Sequence, residues 1–97
     1  MPHHKYWTVR KEESFEQELI LALKTDKYAD EFISGVEWSL ARNPKCGKRV
    51  PGTDFVWAIP IRNPNWIKDE FTVYYTFDEP KQTVILLSLA RFSAADL

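Results

Sequence analysis

Between Phe71 and Arg91 two runs of β-forming residues flank a short polar stretch that contains Pro80. In the first run Phe71, Val73, Tyr75 and Phe77 alternate with Thr72, Tyr74 and Thr76, which is the period of a strand with one apolar and one mixed face. The second, Thr83 to Arg91, is more apolar throughout. The pair predicts a β-hairpin. With Asp78 to Gln82 as its loop, Phe77 stands opposite Thr83, Tyr75 opposite Ile85, Val73 opposite Leu87, Phe71 opposite Leu89 and Asp69 opposite Arg91. That register predicts Phe71, Val73, Tyr75, Ile85, Leu87 and Leu89 on a face turned to helices. It leaves Thr72, Tyr74, Thr76, Leu86, Ser88 and Ala90 on the other. A lone hairpin is not stable in water, so the rest of the chain is expected to cover the apolar face.

Upstream the period changes from two to that of a helix. Ser14, Phe15 and Gln17 fit a capping box, and Phe15, Leu19, Ala22 and Leu23 then share one face. Glu16 and Glu18 sit near the N-terminus, where the helix dipole favours acids. Thr25, Asp26 and Lys27 interrupt the stripe. It resumes at Ala29, Phe32, Ile33, Val36 and Leu40 and stops at Asn43, before Pro44. Two helices forming a hairpin are predicted, with Trp38 at the margin of the stripe. Gly35, unfavourable inside a helix, points to close packing against a neighbour.

Tyr6 to Arg10 predicts a short edge strand with Trp7 and Val9 on one face and Tyr6, Thr8 and Arg10 on the other. Asn43 to Thr53 is rich in proline, glycine and bases and predicts the main loop. Phe55 to Arg62 resumes strand character, with Pro60 marking an edge or an early end. Asn63 to Asn65 predicts a turn. The sum is an α+β fold in one domain spanning residues 1–97: a small antiparallel sheet packed against a two-helix hairpin.

Charge alters this picture in one place. The net charge of -1 argues against nucleic-acid binding by bulk electrostatics, but Arg42 to Lys68 holds six Lys/Arg against one Asp/Glu, with acidic segments on either side. This strip could meet phosphates or an acidic partner, although loop bases are more often simply solvated. A single cysteine, Cys46, excludes an internal disulfide. With no signal peptide or long apolar span in view, a reducing cytoplasm is the expectation, with no membrane association. Cys46 has no candidate base beside it and reads as an incidental loop thiol. His3 and His4 are adjacent near the N-terminus and read as tail rather than metal ligands, and no cofactor is expected.

A long helical segment ending in NPKCGKRVPG, then FVWAIPIR, FTVYYTFDE and TVILLSLAR, resembles the RelE/ParE superfamily of bacterial type II toxins over nearly the whole chain. The resemblance implies a small sheet on two helices, inactivated by a cognate antitoxin that wraps around it. It further implies one of two activities: ribosome-dependent cleavage of mRNA by attack of a 2′-hydroxyl on its neighbouring phosphate, or, in the ParE manner, non-hydrolytic inhibition of DNA gyrase. A non-toxic antitoxin-binding module on the same fold is the alternative. RNA cleavage needs a proton acceptor, a proton donor and cations for the developing charge. Arg62 and Arg91 match basic positions of the RelE pattern, and Lys48 and Arg49 can approach from the loop, so these four are the candidate catalytic residues.

The chain also departs from the pattern. Phe55 to Ile61 is apolar where RelE-like strands carry bases, Thr72 replaces an arginine, and Ser93 to Leu97 lacks a tyrosine. These departures imply an incomplete RelE-type site. Each surviving base has a structural alternative: a cross-strand ion pair with Asp69 for Arg91, and solvation for Arg62, Lys48 and Arg49. Tyr74 and Tyr75 read as packing residues.

Overall fold

The structure, a computed structural model, describes residues 6–25, 29–61 and 69–93; Leu23, Thr25, Ala29, Ile61, Asp69, Glu70 and residues 91–93 are described by their backbone alone. In chain order the elements are β1 (Thr8–Lys11), α1 (Glu13–Thr25), α2 (Ala29–Arg42), a 3-10 turn (Pro44–Cys46), β2 (Lys48–Arg49), β3 (Trp57–Ile61), β4 (Asp69–Asp78) and β5 (Thr83–Ser93). One five-stranded sheet runs in the order β1-β5-β4-β3-β2. β1 lies parallel to β5 and every other pairing is antiparallel. Both helices pack on one face, as the α+β reading predicts. Phe15, Leu19 and Ala22 of α1 and Ile33, Val36 and Leu40 of α2 close over Phe71, Val73 and Tyr75 of β4 and Val84, Leu86 and Leu89 of β5.

The faces of β4 follow its sequence alternation, whereas the faces of β5 do not. The turn holds Glu79 to Gln82, so Asp78 pairs with Thr83 and the register is one residue longer than the symmetric hairpin reading. Gln82, at φ 47, takes the left-handed backbone that closes the turn. Tyr75 therefore pairs with Leu86, and Val84 and Leu86, not Ile85 and Leu87, face the helices. A bulge follows: Tyr74 pairs with Ser88, leaving Leu87 as the extra residue. The extra residue reverses the alternation once more, so Leu89 returns to the core face as predicted, but opposite Val73 rather than Phe71. It also puts Arg91 opposite Phe71 and Asp69 opposite Ser93, which removes the expected Asp69/Arg91 cross-strand pair.

The bulge has a partner in α1. Ser14 Oγ donates to the Leu87 carbonyl at 3.0 Å, and the Glu12 backbone N–H donates to the Leu86 carbonyl at 2.9 Å. The serine of the capping box is thus not the N-cap: Glu12 is, its carbonyl accepting the first helical bond from Glu16 N–H at 3.1 Å. Gln17 reaches Glu13 (3.3 Å) instead of folding back on the cap. Gly35 is exposed, and a Cβ built there would meet nothing within 4 Å, so the close packing expected of it is absent.

The expected main loop is more ordered than its composition suggests. Asn43 ends α2 and its side chain accepts from Lys45 N–H at 3.1 Å to start the 3-10 turn. β2 follows, and then Val50-Pro51-Gly52-Thr53 makes a turn closed by Thr53 N–H to Val50 O at 3.2 Å, with Gly52 at φ 86. Proline then glycine in the two central positions is the residue order such a turn requires. β3 starts at Trp57 rather than Phe55. Its Pro60 pairs in register with Thr72, and β2 extends only as far as Ala58 on the other side, so the proline does sit on a free edge. The predicted turn at 63–65 lies outside the described residues.

Tyr75 ties the sheet to this segment. Its ring is fully buried, its hydroxyl donates to the Pro44 carbonyl at 2.6 Å and accepts from Gly47 N–H at 3.1 Å. Burial pushes the phenol up from 10.0 to about 12; the Gly47 N–H pulls it down and the neighbouring Cys46 thiolate raises it again.

Two outcomes are expected. Leu86→Ala should cost about 2–5 kcal/mol in denaturant unfolding, and Leu87→Ala about 1 kcal/mol or less; equal losses would put the bulge elsewhere. At alkaline pH one tyrosine should ionise late, near 12 by ultraviolet tyrosinate absorbance. Because its folded pKa is raised, stability is fully present below the unfolded value near 10.0 and is lost as pH climbs toward about 12. Tyr75→Phe should abolish both the late titration and this part of the alkaline loss.

Candidate functional site

The sheet face turned away from the helices carries the candidate chemistry. Residues directly opposite one another in a sheet share a face, so the pairings define rows across it. Lys48, Ala58, Tyr74 and Ser88 form one row across β2, β3, β4 and β5. Thr76, Ile85 and Arg10 form the next, and Pro60, Thr72 and Ala90 the row on the other side. Lys48 and Arg10 are exposed, while Tyr74, Thr72, Thr76 and Ser88 are half-buried. Lys48 stands two strands from Tyr74, about 10 Å between backbones. A long flexible stem lets its ammonium lean over Ala58 toward the phenol.

The four bases singled out by sequence are not gathered together. Lys48 and Arg49 are neighbours on β2 and so point to opposite faces: Lys48 is in the row of Tyr74, and Arg49 is opposite Trp57, on the helix side of the edge. Arg62 lies outside the described residues. Arg91 is placed in β5 by its backbone, opposite Phe71. The positive strip of the middle segment is divided as well. Arg42 lies with its guanidinium carbon 3.5 Å from the Trp38 ring centre and 4.5 Å from that of Tyr6, and donates to the Trp38 carbonyl at 3.1 Å. Lys45 reaches Glu79 at 3.7 Å. On the far edge Arg10 approaches Glu12 at 3.6 Å.

Two residues of this face differ in how far the sequence places them. The alternation that put Thr72, Tyr74 and Thr76 opposite the core marks Tyr74 as an accessible phenol, and only Tyr75 is the packing residue. Arg10 was on the correct face of its strand, but that β1 lies beside β5, which brings it to Ile85 and Thr76, is a tertiary fact.

The connection from β2 to β3 borders the site. Thr53 Oγ1 bonds Val50 O at 2.9 Å, and Val50 N–H bonds Val56 O at 2.8 Å, which fixes the turn and leaves Phe55 68% exposed beside the basic edge. Cys46 is exposed, and burial of its thiol pushes its pKa up, outweighing a backbone hydrogen bond that lowers it. It is a thiol at neutral pH and a poor nucleophile. On the helix side, a groove of about 210 Å³ is lined by Glu18, Leu21, Ala22, Phe71 and Leu89.

Chemically the open face offers hydroxyls and cations. At its turn end the carboxylate of Asp78 accepts from Lys81 N–H at 3.3 Å. Among the described residues no group of three or more His, Cys, Asp or Glu could hold a metal ion, and no helix is long and apolar enough to cross a membrane. Such a surface can hold a phosphodiester backbone through Lys48 and present a phenol to it, but among the described residues it shows no evident general base.

No protein-family model matches the chain, and no curated protein does. Solved structures do. The toxin–antitoxin complex RelBE2 of Mycobacterium tuberculosis superposes with a TM-score of 0.70 at 16% identity, covering 95% of this chain and 98% of that one. An arginine mutant of E. coli toxin RelE in the free state gives 0.65 at 11% identity, over 88% of this chain and 82% of that one. A metal-bound toxin from Helicobacter pylori gives 0.56 at 16% identity, over 94% and 98%. At these identities the shared property is the path of the backbone, and on that evidence this chain has a RelE-like toxin fold.

Proposed function

We propose that this protein is the toxin of a type II toxin–antitoxin pair, acting in the cytoplasm on ribosome-bound mRNA through the open face of its sheet. The observation that carries the reading is the row Lys48, Ala58, Tyr74 and Ser88 on a fold shared with RelE toxins. Lys48 meets the scissile phosphate as a cation, and Tyr74 supplies a proton to the leaving oxygen. Arg62 is a further cation of this reading on sequence grounds, whereas Arg49 and Arg91, paired in register with the helix-side Trp57 and Phe71, stand outside the row of Lys48, and Arg49 belongs to the partner surface instead. With no general base among the described residues of this face, the reading is of a weak nuclease, since a placed acid or base contributes roughly a hundredfold to ten-thousandfold each.

The partner is an antitoxin, as in the RelBE2 complex. An acidic segment would cover Lys48 and Arg49, with the exposed Phe55 as its apolar anchor. The lack of a described base also supports a second reading, non-hydrolytic inhibition of DNA gyrase in the ParE manner.

Induction of the protein should arrest growth, and co-expression of the small protein encoded beside it should relieve the arrest. Primer extension on translating ribosomes should show weak cleavage that Lys48→Ala lowers at least about tenfold. That is short of the hundredfold or more lost with a fully preorganised donor, because Lys48 is solvated. Arg91→Ala, at a position in register with the core-facing Phe71, should lower it less. Arrest without cleavage would move the reading to gyrase, and codon-positioned cleavage untouched by Lys48→Ala would remove this cation from the site.

A further inference from the structure

We propose that Tyr75, which faces the helices and never reaches the open face, is the positioning residue for Lys48, acting through the backbone of Gly47; this rests on the assignment of Lys48 to the site. β2 is two residues long and pairs with β3 through Lys48↔Ala58 and Arg49↔Trp57, followed by Val50 N–H to Val56 O at 2.8 Å, so its N-terminal end at Lys48 is held by a short ladder. The residue just before Lys48 is bound from below. Gly47 N–H donates to the Tyr75 hydroxyl at 3.1 Å, and the same hydroxyl donates to Pro44 O at 2.6 Å, so one phenol fixes both ends of the 3-10 turn that feeds β2.

Gly47 also lies too close to its neighbours for any other residue. A Cβ built there would stand 2.5 Å from Ala58 O and 2.7 Å from the Tyr75 hydroxyl. Ala58 is the residue between Lys48 and Tyr74 in the row, so the contact that excludes a side chain at Gly47 sets the height of Lys48 above the sheet. Tyr74 and Tyr75 are consecutive on a central strand: one presents its phenol to the open face, and the other, on the opposite face, holds the cation that works with it. The bases-in-a-loop reading of Lys48 is corrected by the same contacts, since a glycine that normally loosens a chain here permits a close approach that tightens it.

The test is amide hydrogen exchange together with ribosomal cleavage in Tyr75→Phe, with Val84→Ala as a control that loosens the same core from β5 without touching the hydroxyl. In Tyr75→Phe the Gly47 amide and those of β2 should lose protection beyond the global change, and in Val84→Ala they should follow the global change alone. Cleavage should fall about as far as in Lys48→Ala, and the double variant Tyr75→Phe/Lys48→Ala should be no worse than Lys48→Ala alone, because both remove one interaction. Gly47→Ala, which displaces the turn while keeping the phenol, should reproduce the loss if Tyr75→Phe folds poorly. A Gly47 amide protected as in wild type, an equal local loss in Val84→Ala, or additive losses in the double variant would each overturn the proposal. Lys48→Ala at wild-type cleavage would overturn the functional reading instead, while exchange would still support or overturn the hold of Tyr75 on β2.

Discussion

The sheet-to-helix core of this protein depends on one extra residue in β5. A regular strand of its length would bring every second side chain to the helices, and from Val84 and Leu86 that series continues to Ser88 and Ala90. The bulge at Leu87 breaks the series, so Leu89 joins Val73 in the core while Ser88 and Ala90 pass to the open face. An extra residue leaves a backbone group out of the ladder, and here Ser14 satisfies it from the first turn of α1. Helix placement and strand register are therefore coupled at the bulge, by Ser14 Oγ to Leu87 O across 73 positions of sequence and by Glu12 N–H to Leu86 O beside it. The serine hydroxyl adds a directional contact between two layers that also meet through Glu12 N–H to Leu86 O at 2.9 Å, Trp7 N–H to Ala41 O at 2.7 Å and the Lys11–Glu37 ion pair at 2.9 Å.

A second tie crosses the sheet edge. The phenol of Tyr75 satisfies a carbonyl and an amide of the segment that joins α2 to β2, and burial keeps it protonated, with a pKa near 12. Edge strands of two residues are held poorly by their own ladder, and a buried hydroxyl with both of its hydrogen-bonding roles used is a rigid anchor. The open face of the sheet then inherits its geometry from the core: Lys48, Tyr74 and Ser88 are aligned because β2, β4 and β5 are in register beneath them. Net charge contributes little to this arrangement. The bases of the middle segment are separated by a stack on Trp38, an ion pair to Glu79 and the alternation of β2 itself.

Periodicity by itself determined the types of β1, α1, α2, β3, β4 and β5, the two apolar helix stripes, the faces of β4, the edge position of β1 and the α+β class, because each follows from which side chains must leave water together. It also separated Tyr74 from the core-facing Tyr75. What it could not determine was any quantity set by a contact distant in sequence. The bulge at Leu87 and the four-residue turn each move β5 by one residue, and the hydrophobic residues Ile85, Leu86 and Leu87 satisfy either parity, so the pattern carries no preference between them. The place of Ser14, the ordering of Lys48 into a strand and the separation of Lys48 from Arg49 were decided in the same way, by backbone groups that needed partners and found them across the fold rather than along the chain.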